Sequence, residues 1–159
     1  MTPCGSSSVY CPDLSVAPVP VTSGYYTTPL DGDETLRTGQ DLCPLGHYCV
    51  DGLIFPCPAG TFGANVGLAS AECSGKCKMG TFAIVEFTLP RTSSTSFCCL
   101  LCVCAGHYCP EASTSATEQP CPIGTYGDEE GLTDANCSGL CKTNNYCPRG
   151  TVNQFSRPV

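Results

Sequence analysis

The sequence predicts a small disulfide-rich fold: tandem cysteine-rich repeats with short β-hairpins and little or no helix, stacked into an elongated rod. Two observations predict it. The chain carries 16 Cys in 159 residues, with 17 Gly, 14 Pro and no Trp. That cysteine density marks a cross-linked scaffold, and the thin supply of branched apolar residues forms no single large core. The second observation is a repeat. CPAGTFGANVGLASAECSGKC, Cys57 to Cys77, returns as CPIGTYGDEEGLTDANCSGLC, Cys121 to Cys141, with an offset of 64 residues at every shared cysteine, glycine and leucine. Self-similarity at a fixed period signals stacked units.

Each unit has four cysteine positions, named a to d. Position a opens a short segment that ends in an aromatic residue and Cys b, as in CPLGHYC, Cys43 to Cys49. After a spacer of variable length, read as a surface loop, Cys c opens Cys-Pro-x-Gly-Thr-aromatic, and Cys d follows sixteen positions later. Four divisions result: 1–42, a partial repeat lacking c and d; 43–76, complete; 77–140, interrupted at 81–105; and 141–159, the start of a further unit.

The first unit sets the pairing. Ser23-Gly24-Tyr25-Tyr26 imitates Ala59-Gly60-Thr61-Phe62, yet Val21 stands at c, and d falls near Arg37 to Gly39. Loss of c and d together, with Cys4 and Cys11 retained, is expected if c bonds d. This predicts Cys57–Cys73 and Cys121–Cys137 and leaves Cys4–Cys11, Cys43–Cys49 and Cys141–Cys147 by remainder, although sequence alone does not fix connectivity. Cys77 and Cys109 are a and b of the interrupted unit and belong to the same framework.

Local chemistry suits hairpins. Gly60 and Gly124 permit a tight turn at positive φ, and Thr61-Phe62 and Thr125-Tyr126 are strand-forming pairs. The aromatic is expected to cover a disulfide. Gly67-Leu68 and Gly131-Leu132 supply a turn and an inward leucine, and Ser-Gly-x-Cys is read as the turn into the next unit.

Residues 81–105 break the pattern and add Cys98, Cys99, Cys102 and Cys104, which fit no repeat position. Joining Gly80 to His107 would restore CKMGHYCP, so the segment reads either as a translated intron or as a hairpin insertion that packs on a neighbour. The tail Gly150-Thr151-Val152 reads as a similar read-through. Ahead of the repeats, MTPCGSSSVYC lacks the charged and apolar parts of an export signal. A disulfide framework without one predicts an internal piece of a longer chain.

Charge and spacing exclude several functions. A net charge of −7 with 7 basic residues argues against nucleic acid and anionic membranes. No apolar run approaches the ~18 residues of a spanning helix. Zinc sites need tandem Cys-x2-Cys pairs, and only Cys99 and Cys102 have that spacing. His47 and His107 occupy matched positions beside Tyr-Cys and are read as structural, since no spacing supplies a nucleophile–base pair. Asp31-Gly32-Asp33-Glu34 and Asp128-Glu129-Glu130 lack the alternation of a calcium loop and are read as solvated acidic loops. Hence no catalytic residue, metal or cofactor is assigned. Asn136-Cys137-Ser138 is an N-glycosylation sequon. The serine- and threonine-rich stretches at 92–96 and 113–115 suit flexible loops or O-glycans.

CPLGHYC, CPAGTFG, GLASAEC, GHYCP, CPIGTYG and GLTDANC together resemble the ephrin-receptor-like cysteine-rich repeats, related in style to modules of tumour-necrosis-factor receptors. The resemblance covers most of the chain outside 81–105. It implies an extracellular or cell-surface array without catalysis, serving as a spacer or assembly module. Two functions follow as expectations. One is a structural, glycosylated subunit of a surface filament or coat, self-associating head to tail. The other is a receptor or adhesion ectodomain for a protein ligand.

Overall fold

A computed structural model of the chain describes residues 4–30, 33, 36–78 and 106–155. Residues 81–105 with their four cysteines, the acidic stretch at Asp31, Gly32 and Glu34, and the serine-rich 92–96 lie outside the described residues. Among the described residues twelve short strands pair antiparallel as six two-stranded hairpins, and no α-helix occurs. The molecule is a small disulfide-rich fold.

The hairpins alternate in two kinds. One spans the b cysteine in each of the first three units: β1 (Val9–Tyr10) with β2 (Val19–Pro20), β5 (His47–Val50) with β6 (Leu53–Pro56), and β9 (His107–Tyr108) with β10 (Gln119–Pro120). The other follows position c: β3 (Tyr25–Thr28) with β4 (Gly39–Leu42), β7 (Thr61–Phe62) with β8 (Gly75–Lys76), and β11 (Thr125–Tyr126) with β12 (Gly139–Leu140). The b–c spacer, expected as a surface loop, is therefore a hairpin. Its variable length is absorbed at the turn. In the third unit the longer turn is closed by Glu118, whose carboxylate accepts the Thr114 N–H at 2.8 Å.

Among the described residues six disulfides join Cys4–Cys11, Cys43–Cys49, Cys57–Cys73, Cys77–Cys109, Cys121–Cys137 and Cys141–Cys147. Each lies within one unit. Cystine sulfur replaces an aliphatic core: Cys43, Cys57, Cys77, Cys109, Cys121 and Cys147 are completely buried, while the other buried apolar residues are few, Leu132 and Val152 among them. Closing each c–d loop is worth about 3 kcal/mol in the chain-entropy model.

One further local expectation differs from the structure. Ser-Gly-x-Cys is not a turn: Gly75 and Gly139 lie in the return strands β8 and β12, opposite Phe62 and Tyr126. The turn falls earlier, where Cys73 and Cys137 both take φ 52°. The aromatic rings, half-buried, lie across the hairpin at van der Waals distance from those glycines. A glycine opposite leaves the face of the hairpin free for the ring.

Candidate functional site

The surface with the most chemistry is the joint between consecutive units, and one turn builds it. In Cys57-Pro58-Ala59-Gly60-Thr61 both the N–H and the hydroxyl of Thr61 donate to the Pro58 carbonyl, at 3.0 and 2.7 Å. Thr125 does the same to Pro122, at 3.1 and 2.9 Å. Proline presets the first turn residue, glycine takes positive φ, and threonine closes the turn. The same turn recurs after position b. Ser113 donates its N–H and hydroxyl to Pro110, and Thr151 donates both to Pro148. Ala112 and Gly150 hold the left-handed position at φ 62° and 76°.

These turns clasp each other across the joint in a reciprocal pair of bonds. Between the second and third units, the Gly60 N–H donates to the Cys109 carbonyl at 2.8 Å and the Ala112 N–H to the Cys57 carbonyl at 2.9 Å. Between the third and fourth, Gly124 donates to Cys147 at 2.9 Å and Gly150 to Cys121 at 2.8 Å. The Gly63 N–H adds a bond to the Ser113 carbonyl, and the Gly127 N–H one to Thr151, each at 2.8 Å. The tail Gly150-Thr151-Val152 is therefore part of the repeat. What read as a break is the clasp, written with Gly-Thr where the preceding unit has Ala-Ser.

Gly60 is the centre of its joint. Its N–H is spent on Cys109, its carbonyl accepts the Cys77 N–H at 3.0 Å, and a Cβ on it would meet the Gly131 carbonyl oxygen at 2.5 Å. Gly24 stands in the same relation to Gly67 one unit earlier. The Gly-Leu turn that covers the glycine is seated by two bonds to its own unit. Gly67 donates to the Cys43 carbonyl at 2.7 Å, and Cys49 donates to Leu68 at 2.9 Å. Gly131 and Leu132 make the matching bonds with Cys77 and Cys109, at 3.0 and 2.9 Å. Beside the seat lies the last residue of the preceding strand. The Leu42 Cδ1 lies 3.0 Å from the Cβ position of Gly67, and the Lys76 Cδ lies 3.5 Å from that of Gly131.

The first unit reaches the same joint without a c–d bridge. A Cβ at Gly63 would come within 2.9 Å of the Cys57 Sγ. With Val21 in place of that cysteine, the equivalent residue is Thr27, fully buried. Its hydroxyl donates to the Ser7 and Gly52 carbonyls, at 2.9 and 3.2 Å. Arg37, also buried, donates from Nη1 to the Thr27 carbonyl at 3.3 Å, while its own carbonyl accepts the Cys11 N–H at 2.8 Å.

The two ends of the stack differ from its inner joints. At the carboxyl end, the Cys141 carbonyl and Cys147 N–H, which match the seat of the Gly-Leu turn, find no backbone partner among the described residues. No described residue lies within 4 Å of a Cβ position on Gly124, although its φ of 87° equals that of Gly60. Leu140, the counterpart of Leu42 and Lys76, is 79 % exposed. At the amino end, Cys11-Pro12-Asp13-Leu14-Ser15 forms half a clasp, with Ser15 N–H on the Pro12 carbonyl at 3.0 Å and Leu14 at φ 67°. Leu14 and Val16 are fully exposed.

The remaining residues singled out in the sequence do not converge. His47 lies half-buried in β5, its Nδ1 3.0 Å from the Leu45 carbonyl oxygen, and His107 is buried in β9, a unit away. Asp128, Glu129 and Glu130 are exposed, as is Asn136, whose backbone N–H donates to the Asp134 carboxylate at 2.7 Å. Among the described residues no three His, Cys, Asp or Glu side chains are grouped to hold a metal ion, and no helix is long and apolar enough to cross a membrane. No protein-family model, curated protein or solved structure matches the chain.

Proposed function

We propose that the protein is a non-catalytic, extracellular structural repeat module of the ephrin-receptor-like kind, a subunit of a surface filament or coat that grows by end-to-end packing. The observation that carries this reading is that one joint is built twice in the same way. Gly60 with Cys109 and Gly124 with Cys147 are the same clasp, one unit apart. A surface that repeats along the chain continues past its last copy wherever another repeat is available, and contacts that do not close a ring extend linearly. Six disulfides are the chemistry of an oxidising compartment, and exposed Asn136 suits a glycan there. Head-to-tail association is the form this growth takes.

Electron microscopy of the oxidised native material tests the reading. Linear series of rods with a regular repeat are expected. Isolated rods carrying one bound protein ligand would favour the receptor or adhesion function.

A further inference from the structure

We infer that Asn136 carries an N-linked glycan that is attached before Cys137 pairs with Cys121, so that closure of the c–d loop ends the modification. This rests on the extracellular reading and deepens it, giving the glycan a place and an order of events. Asn136-Cys137-Ser138 is the single Asn-x-Ser/Thr sequon in the sequence, and its middle residue belongs to the Cys121–Cys137 bridge. In the closed loop the sequon is a locked turn. Cys137 takes φ 52°, the Asn136 N–H donates to the Asp134 carboxylate at 2.7 Å, and the Cys137 N–H donates to the Asp134 carbonyl at 3.1 Å. The Ser138 N–H donates to the Tyr126 carbonyl at 2.9 Å, and the Ser138 hydroxyl oxygen accepts the Asp128 N–H at 3.0 Å. A glycosyltransferase reads the asparagine amide and the serine hydroxyl of a sequon together, on an extended peptide. Turn and hydroxyl are both engaged once the loop has closed. The reduced segment, a short polar stretch without its cross-link, presents them.

The site accommodates the product. Asn136 is exposed, as are Asp134 and Ala135 beside it. The second unit shows that the loop closes in the same way with another side chain at this position. Glu72 stands there, yet Cys73 also takes φ 52°, the Cys73 N–H donates to Ser70 at 3.0 Å and the Ser74 N–H to Phe62 at 2.8 Å. The Ser74 hydroxyl accepts the Ala64 N–H at 2.9 Å, as Ser138 accepts that of Asp128. The bonds of the joints run instead through Gly124, Gly127, Gly131 and Leu132. A glycan on the Asn136 amide therefore displaces no bond of the loop or of the stack.

The donor is an oligosaccharide linked to a lipid through pyrophosphate. The Asn136 Nδ2 attacks C1 of the first sugar, a C–N bond forms, and the C–O bond breaks with its electron pair leaving on the pyrophosphate. The amide gives up one proton to a base of the transferase. In the later step the Cys121 and Cys137 thiols form their disulfide by exchange with a disulfide of a secretory oxidoreductase, which is reduced to the dithiol and takes up their protons and electrons. The two steps compete for the same segment.

The test translates the full chain, behind a cleavable export signal, in a cell-free system with endoplasmic-reticulum microsomes. A gel shift of one glycan that endoglycosidase removes is expected, and Asn136→Gln should abolish it. Occupancy should rise when dithiothreitol is present during translation. Cys121→Ser should raise it too, since this frees Cys137 and leaves the sequon intact. Unmodified chain that has been oxidised and then offered to solubilised transferase with the lipid-linked donor should take up no glycan, whereas the same chain after reduction should accept it. Glu72→Asn, which writes the sequon into the second loop, should add a second glycan whose occupancy rises with Cys57→Ser. Absence of the glycan from untreated, reduced and Cys121→Ser chains alike would overturn the site. Equal modification of oxidised and reduced acceptors would overturn the order of events. These outcomes are separate from those of the assembly reading: fibres of a bare chain leave the filament without the glycan, and a glycosylated chain that stays as isolated rods leaves the glycan without the filament.

Discussion

Gly60 and Gly124 isolate what a single glycine contributes to a joint. Both take φ 87° in the same Cys-Pro-x-Gly-Thr turn, but Gly60 is covered by Gly131 and Gly124 by none of the described residues. Alanine at either position carries the left-handed penalty of about 1–2 kcal/mol. At Gly60 the added methyl also meets a backbone carbonyl, and overpacking of that kind costs a further 1–3 kcal/mol or so. Gly60→Ala should therefore destabilise the oxidised protein by about 2–5 kcal/mol and Gly124→Ala by only about 1–2 kcal/mol. Denaturant midpoints of the two variants check this. Equal losses would mean that the Gly131 contact contributes nothing. Thr27 supplies a second residue-scale case, because its buried hydroxyl bonds two carbonyls that belong to different units. Thr27→Val keeps the shape and removes those bonds, at a cost of about 1–2 kcal/mol, read in the same way.

At the scale of the hairpin, the first unit shows what stands in for a c–d disulfide. The β3–β4 ladder pairs four residues on each strand where β7–β8 pairs two. Thr22 and Gln40 add a reciprocal clamp, with the Thr22 N–H on Gln40 Oε1 at 2.8 Å and Gln40 Nε2 donating to the Thr22 hydroxyl at 2.9 Å. The second unit has no such reserve. Cys57→Ser with Cys73→Ser should cost about 3 kcal/mol and accelerate amide exchange in β7 and β8, whereas an unchanged denaturant midpoint would place the stability of the loop elsewhere. Much of this level was legible in the sequence. The paired absence of c and d in the first unit gives the same c–d partners that the structure contains, and the Thr-aromatic pairs and turn glycines lie where the pattern put them. The clasp after position b was hidden for a physical reason. Its left-handed residue is Gly52 or Gly150 in two units but Ala112 and Leu14 in the others, so no glycine register marks it. Ser-Gly-x-Cys misled because glycine there makes room for Phe62 or Tyr126 across the hairpin, which short-range turn chemistry does not reveal. The seat at Cys141 and Cys147 was beyond sequence reasoning, since it appears only when the hydrogen bonds of successive units are laid over one another.

The whole molecule divides its stability in two. Covalent links act inside units, since each of the six disulfides joins cysteines of one unit. Between units the described contacts are backbone hydrogen bonds, glycine packing and, at the first joint, the Thr27 hydroxyl on the Gly52 carbonyl. Four such bonds cross the second joint: Gly60 to Cys109, Ala112 to Cys57, Cys77 to Gly60 and Gly63 to Ser113. At a net ~1 kcal/mol each, a joint rivals one loop disulfide in strength. A stack of this kind behaves as a sum of unit and nearest-neighbour terms, so damage at one joint should stay there. Gly60→Val places the larger side chain against Gly131 and should open the second joint in the oxidised protein. Amide exchange at Cys77, Ala112 and Gly63 is then expected to accelerate by about tenfold or more, the equivalent of at least 1.4 kcal/mol. Thr27 and Cys43, whose N–H groups bond Gly52 and Gly24 at the first joint, should keep their rates. Their bonds share no atom with the damaged joint, and the Cys43–Cys49 bridge between the two sites holds with or without it. Native-state exchange followed residue by residue makes the comparison. Acceleration of equal size at Thr27 and Cys43 would show a single cooperative domain instead of a stack, and would remove the physical ground for extending the joint beyond the last unit.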